Sequence, residues 1–412
     1  MFYNKYFSYV WEGSAKIFGL LSTFIIIFIL NKEQLGDYSF IRSYILILGA
    51  LSLLGLQAAS YKFLLVDEGR GEGSKSSYVW FVVLFSMAIN LLLLVFLFVF
   101  SFFIINSFPV DVELVYLMQG VVAIYTVTTF YSVVCKVIGD PSKGFFISML
   151  IPMLFVIALM MLYYFGYNDL YAIILLYGCS VIAVFFVCLY FINKEYSFFH
   201  ALININIEKI KGWFSVSISM WLSGFLPAFL TQGVVVFSGF YFSEAALGDV
   251  GLAVLIVANL AMFKEIGIAL FLPNVIREYS KSKFLDMVSL VKCFLFSIVP
   301  ILIFIAILLL LSDEIIFFSG GKVSSESIEL MVLLSFSQVF MGIYQPVFRI
   351  YSVVYSHMVV LLSSVFLFIF LIVMYGVSAN YYDVYHVVYS TVSVSFVAVL
   401  ISIFYLKGLI NE

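Results

Sequence analysis

Apolar residues in this chain neither alternate with polar ones nor keep to one helical face; they come in long unbroken blocks. Leu91 to Phe100 is apolar at every position. A membrane-crossing helix needs ~20 mostly apolar residues at 1.5 Å rise each. That ruler marks twelve segments: 11–30, 41–64, 79–105, 115–136, 145–166, 170–192, 214–240, 250–272, 288–311, 328–349, 353–376 and 384–406. The strands of a membrane barrel would instead alternate over ~10 residues, so helices are predicted. The expected fold class is an all-α polytopic membrane protein with twelve transmembrane helices.

The connectors are short and leave no room for a soluble domain. The two longest run from Asp67 to Tyr78 and from Asn193 to Trp213. The second splits the spans six and six. The predicted organisation is an N-terminal six-helix lobe (1–192), a central cytoplasmic connector (193–213) and a C-terminal six-helix lobe (214–412).

The first connector contains Leu35-Gly36-Asp37, and the connector after the seventh span contains Leu247-Gly248-Asp249, an offset of 212 residues. Both copies fall between the first and second spans of their half. A duplicated carrier is expected to show such a pattern, with two pseudo-symmetric six-helix lobes. An even number of spans per half keeps both halves in the same orientation.

Basic residues orient the chain. With the amino terminus inside, inside segments hold fourteen Lys and Arg, among them Lys5, Lys136, Lys194, Lys209, Lys281 and Lys407. Outside segments hold three: Lys32, Arg42 and Lys322. This positive-inside bias predicts that both termini are cytoplasmic.

Composition agrees with a lipid solvent. The chain is 65% hydrophobic and 10% charged, against ~45–50% and ~25% for soluble domains. A net charge of −3 gives nucleic acid no basic surface to bind. Cys135, Cys179, Cys188 and Cys293 lie inside apolar runs without paired spacing and are expected as buried small hydrophobes. The first apolar run lacks a small-residue cleavage site and is read as a retained span. Phosphate-binding loops and the HExxH, CxxC and GxSxG motifs do not occur, and only three histidines do. No catalytic residue, metal site or cofactor is therefore expected, and transport would draw on an ion gradient, the membrane potential or consumption of product.

The amino-terminal stretch carries Gly13-Ser14, then Leu35-Gly36-Asp37-Tyr38-Ser39-Phe40, then Gly55-Leu56-Gln57; the second half adds Leu247-Gly248 and Leu272-Pro273 before a basic inside loop. With the span count and loop lengths, these features resemble the O-antigen unit flippases (Wzx-type) of the multidrug/oligosaccharidyl-lipid/polysaccharide exporter superfamily. The resemblance implies a bacterial inner-membrane protein. Its substrate would be an undecaprenyl-diphosphate-linked oligosaccharide, moved from the cytoplasmic to the periplasmic leaflet by alternating access. It also implies that a polysaccharide polymerase and chain-length machinery act on the product. The alternative is an ion-coupled multidrug or small-molecule exporter of the same superfamily. A membrane polymerase or acyltransferase would need a large outside loop, and the longest here is Ser312 to Ser327.

Ionisable groups inside a span cost a few kcal/mol and need a reason. Lys264 and Glu265 fall near the middle of the eighth span, nine and eight residues before Pro273. They point ~100° apart on a helix, so at least one meets a cavity or a partner helix. Lys264 is a candidate for the anionic substrate, with Glu265 balancing its charge or carrying a coupling proton. Lys16 lies four residues after Glu12 in the first span. The two form either an interfacial ion pair or, at the inner mouth of a cavity, a diphosphate contact. Arg42, placed at the outer end of the second span, and Arg349, at the inner end of the tenth, are either headgroup anchors or further cavity cations. Prolines 152, 227, 300 and 346 interrupt spans, and Pro227 is the candidate hinge. Asn90 and Asn259 are read as links between helices.

Overall fold

The computed structural model describes residues 2–411 except 62, 65–71, 105–109, 139, 168, 205–206, 283, 320–321, 355–356 and 380–382. Fifteen helices and no strand occur among the described residues. The twelve long ones are α1 (Phe2–Ile29), α2 (Lys32–Ser52), α4 (Glu72–Ile104), α5 (Val112–Ile138), α6 (Pro141–Tyr164), α7 (Leu170–Glu195), α9 (Ile207–Tyr241), α10 (Glu244–Ser282), α11 (Met287–Leu310), α13 (Ser325–Val354), α14 (His357–Ser378) and α15 (Val384–Asn411). Three short helices complete the set: α3 (Leu56–Tyr61), α8 (Phe198–Asn204) and α12 (Ser312–Phe318). Ten of the long helices carry a described apolar stretch long enough to cross a membrane. With α1 and α2, at 28 and 21 residues, they make the twelve.

Local chemistry sets the ends. Asn31 and Gln34 form a reciprocal capping box at the start of α2, with Asn31 Oδ1 accepting from the Gln34 amide at 2.8 Å and Gln34 Oε1 from the Asn31 amide at 3.2 Å. Asp140, Asp169 and Asp286 cap α6, α7 and α11 through their carboxylates.

The chain forms two compact units. Unit 1 comprises 1–34 and 41–225, and unit 2 comprises 35–40 and 226–412. In unit 1, α5 packs on α4, α6 and α7, and α6 packs on α7. In unit 2, α13 packs on α11, α14 and α15, and α14 packs on α15. These pairings correspond, α4 to α11, α5 to α13, α6 to α14 and α7 to α15, whereas the packing of α1 on α6 and of α10 on α11 and α13 is not repeated to a like extent in the other unit among the described residues. Burial repeats with them. The most apolar windows of α5 and α13 are each 61% buried, whereas those of α4 and α11 are 22% and 28% buried. Each unit therefore has a central helix with its polar residues turned inward and a peripheral helix that presents apolar side chains to lipid.

The two Leu-Gly-Asp copies lie within helices, in the first turns of α2 and α10, rather than in the expected connectors. They press on each other in unit 2. A Cβ on Gly36 would come 3.0 Å from the Gly248 backbone nitrogen, and one on Gly251 would come 2.6 Å from the Ser39 side chain. Small residues three apart on both helices let the backbones approach this closely.

The second span departs from expectation in both its start and its continuity. It begins at Lys32 and breaks at Leu54 and Gly55, which have positive φ of 42° and 76°. Arg42 is therefore ten residues inside α2 rather than at its end. The Tyr78 hydroxyl donates to the Leu56 carbonyl at 2.5 Å just past the break. Three further expectations change. Cys179 is exposed on α7, while the other three cysteines are buried. The central connector holds α8, and the segment read as the longest outside loop holds α12. Asn90 does link helices, as its side chain accepts from Gln119 at 3.2 Å, but Asn259 donates to the Leu255 carbonyl of its own helix at 2.7 Å.

Candidate cation site in the second unit

Lys264 lies on α10, whose apolar stretch runs from Glu244 to Ile276; it is twenty residues from one end of that stretch and twelve from the other, ~30 Å and ~18 Å of helix. It is 5% exposed. No lysine side chain spans such a distance to water, so the ammonium is held inside the helical layer. Glu265, the next residue, points elsewhere and meets Arg349 of α13, whose guanidinium donates to the carboxylate at 3.4 Å. Both partners of this pair are partly exposed. The close fit of these helices depends on glycine. A Cβ on Gly267 of α10 would meet the Ser297 hydroxyl of α11 at 2.8 Å, and one on Gly342 of α13 would meet the Ser297 Cβ at 3.3 Å.

Gln338, Gln345 and Arg349 fall seven and four residues apart on α13, which places them on one face. Gln338 and Gln345 are buried, and their Oε1 atoms have no hydrogen-bond partner among the described residues. The Gln338 amide donates to Thr231 of α9 at 3.4 Å, and Thr231 donates to the Pro227 carbonyl at 2.8 Å. The face therefore combines one cation, Arg349, with acceptor oxygens that lack donors among the described residues. Such a surface suits an anionic ligand rich in hydroxyl groups.

Several solved structures resemble this chain, among them the following three. One is a multidrug resistance MATE family transporter of the MOP superfamily in an inward-facing conformation: 13% identity, TM-score 0.66, 96% of each chain covered. A second is the lipid II flippase MurJ in an inward closed conformation: 16% identity, TM-score 0.66, 97% of this chain and 87% of that one. The third is a MOP superfamily transporter from Pyrococcus furiosus with 10% identity and a TM-score of 0.62 over 98% and 94% of the two chains. The fold is that of the MATE and MurJ transporters. No protein-family model matches the chain, and no curated protein matches it significantly.

Within this MATE and MurJ fold the remaining candidates fall in unit 1. Lys16 is half-buried on α1 and has no hydrogen-bond partner among the described residues. The Glu12 side chain lies outside the described residues. Arg42 is half-buried on α2, within electrostatic reach of Tyr125 on α5. Near it runs a polar lane that sequence reasoning did not assemble: Tyr44 donates to Gln119 at 3.3 Å, and Gln119 to Asn90 at 3.2 Å. Glutamines inside apolar blocks were the available signal.

A cavity in unit 2 lies elsewhere. It has a volume of ≈ 380 Å³ and is lined by Asp249, Glu326, Asp383 and Tyr385, among others. Asp249 is fifteen residues, or ~22 Å of helix, from Lys264. Asp249 is 4% exposed and accepts from the hydroxyls of Ser324 and Ser327 at 2.8 and 2.5 Å, tying α10 to the start of α13. Asp249→Ala is expected to lower stability by about 2 kcal/mol, because buried bonds to a charged acceptor are lost. Thermal inactivation in detergent measures this, and an unchanged midpoint would show the tie to be idle.

Proposed function

We propose that this protein flips an undecaprenyl-diphosphate-linked O-antigen unit from the cytoplasmic to the periplasmic leaflet of a bacterial inner membrane. The observation that carries the reading is the set of cations and donor-seeking oxygens in unit 2: Lys264 deep in α10, Arg349, and the carboxamide oxygens of Gln338 and Gln345, which have no donor among the described residues. A diphosphate calls for the first two and sugar hydroxyls for the others. The likeness to a protein described as a lipid II flippase supports a lipid-linked substrate.

In this mechanism the lobes 1–192 and 214–412, joined by the connector 193–213, alternate between inward and outward access. Both termini are cytoplasmic, as the lysine and arginine bias argues. Lys16 and Arg42 are further substrate contacts in the first lobe. Glu265 balances the charge of Arg349 and Lys264 when no anion is bound, and with an ion gradient it takes up the coupling proton. Pro227 is the hinge. The division between the two compact units falls between Phe225 and Leu226, within α9 and beside that proline. A proline inside a helix removes one backbone bond and lowers the cost of bending there. A polysaccharide polymerase and chain-length machinery would consume the product.

Export of small cations is the second reading, favoured by the likeness to a multidrug transporter and by the acidic cavity of Asp249, Glu326 and Asp383. Proteoliposomes separate the two. A lipid-diphosphate oligosaccharide placed in one leaflet should become accessible to an added glycosidase on the other side only when the protein is present. Ethidium efflux should stay at background. Dye efflux without oligosaccharide flipping would assign the protein to the second reading.

A further inference from the structure

We propose that α8 is a membrane-surface anchor that seats the end of unit 1 in the lipid leaflet on that side. Eleven residues separate the end of α7 at Glu195 from the start of α9 at Ile207, and α8 itself has seven. Seven helical residues span ~10 Å, against ~30 Å of hydrocarbon, so α8 stays on the face where α7 ends and α9 begins.

One side of the segment is held by protein. Trp80 of α4 donates its indole N–H to the Tyr196 carbonyl at 2.7 Å, and Ser77 donates to the Ala201 carbonyl at 3.1 Å. The Phe198 ring stands edge-on to Trp80 at 4.9 Å, and Ala201 is fully buried. The other side is apolar and bare. Phe199 and Ile203, one turn apart, are 77% and 80% exposed, and Ile207 follows at 71%. Large apolar side chains left in water would forgo the free energy of burial, so the face has an occupant.

Two observations identify the occupant as lipid. The lipid-facing stripe of α7, with Phe186 and Tyr190 both 64% exposed, leads down to this face. Lys194 and Lys211 are exposed on either side of α8, and Lys209 lies in the first turn of α9. Apolar residues flanked by lysines match an interface of acyl chains beneath anionic headgroups.

The test reads position relative to lipid and does not depend on the substrate. Phe199→Cys and Ile203→Cys, each in a Cys179→Ser background because Cys179 is exposed, would carry a nitroxide label in nanodiscs of phosphatidylethanolamine and phosphatidylglycerol. Lys194→Cys serves as the water-side reference. Labels at 199 and 203 should collide several-fold more with oxygen than with a water-soluble nickel chelate, and the reference should show the reverse. Labels at 199 and 203 that follow the reference would overturn the proposal. So would labels closed to both reagents, which would mean that protein covers the face.

Discussion

Lys264→Met is expected to leave the protein in the membrane at its normal level and to reduce transport to background. A charge near the centre of a membrane helix costs ~2.5–3.5 kcal/mol on insertion scales, so exchanging the ammonium for a thioether of similar length removes a cost. Lys264 is 5% exposed and far from both ends of α10, so it does not escape that cost by reaching water. A group kept under such conditions earns its place by binding something charged. If the ammonium served only to hold helices together, Lys264→Met would instead lower protein level or melting temperature while surviving protein transported normally. Normal transport by a correctly inserted variant would sink the assignment. Arg349→Met makes a useful companion. Its pair with Glu265 is half exposed, so its loss should change stability by no more than ~1 kcal/mol. A strong transport defect with normal stability would then place the guanidinium on the substrate path.

Gly55→Ala is expected to be the most damaging small substitution in unit 1. Gly55 has φ of +76°, a region that costs other residues ~1–3 kcal/mol. A Cβ there would also lie 2.2 Å from the Ser217 carbonyl oxygen and 2.8 Å from the Trp221 backbone of α9. Overpacking against backbone adds ~1–3 kcal/mol, because backbone has little room to yield. Together these predict a loss of about 2–6 kcal/mol, read as a large fall in the temperature at which the detergent-solubilised protein leaves its monodisperse peak. Gly120→Ala is the control, since a Cβ at Gly120 meets nothing within 4 Å. There, within α5, a slight gain from helix propensity is expected. Equal behaviour of the two variants would contradict the close approach of α9 at Gly55.

How much of the site could be read from sequence differed by residue. Lys264 and Glu265 stood out because charge inside an apolar block is conspicuous wherever the helix happens to face. Their separate directions also followed from helical geometry, and the structure sends Glu265 to Arg349. That Arg349 was the partner did not follow, since the two are 84 positions apart in the chain. Arg42 was misplaced because α2 starts earlier than its apolar run, with polar Lys32 to Gln34 forming its first turn. Gln119 and Tyr44 went unremarked because a neutral polar residue in an apolar run is common, and only its contact across to another helix gives it meaning. The short helices α8 and α12 were read as connectors because segments of seven residues are too short to show a periodicity.

By itself, then, the sequence determined the solvent, the number of spans, the duplication and the presence of an ionisable pair deep in the eighth span. Each follows from a requirement that lipid places on one segment at a time: enough apolar length, few charges and a satisfied backbone. Tertiary structure alone decided that the two Leu-Gly-Asp copies are helical and press together, that Glu265 meets Arg349, and that Gly55 breaks the second span against α9. Those outcomes depend on how each helix is rotated about its own axis. A segment that is apolar on every side carries almost no record of that rotation, which is set by where small residues let neighbouring backbones come close.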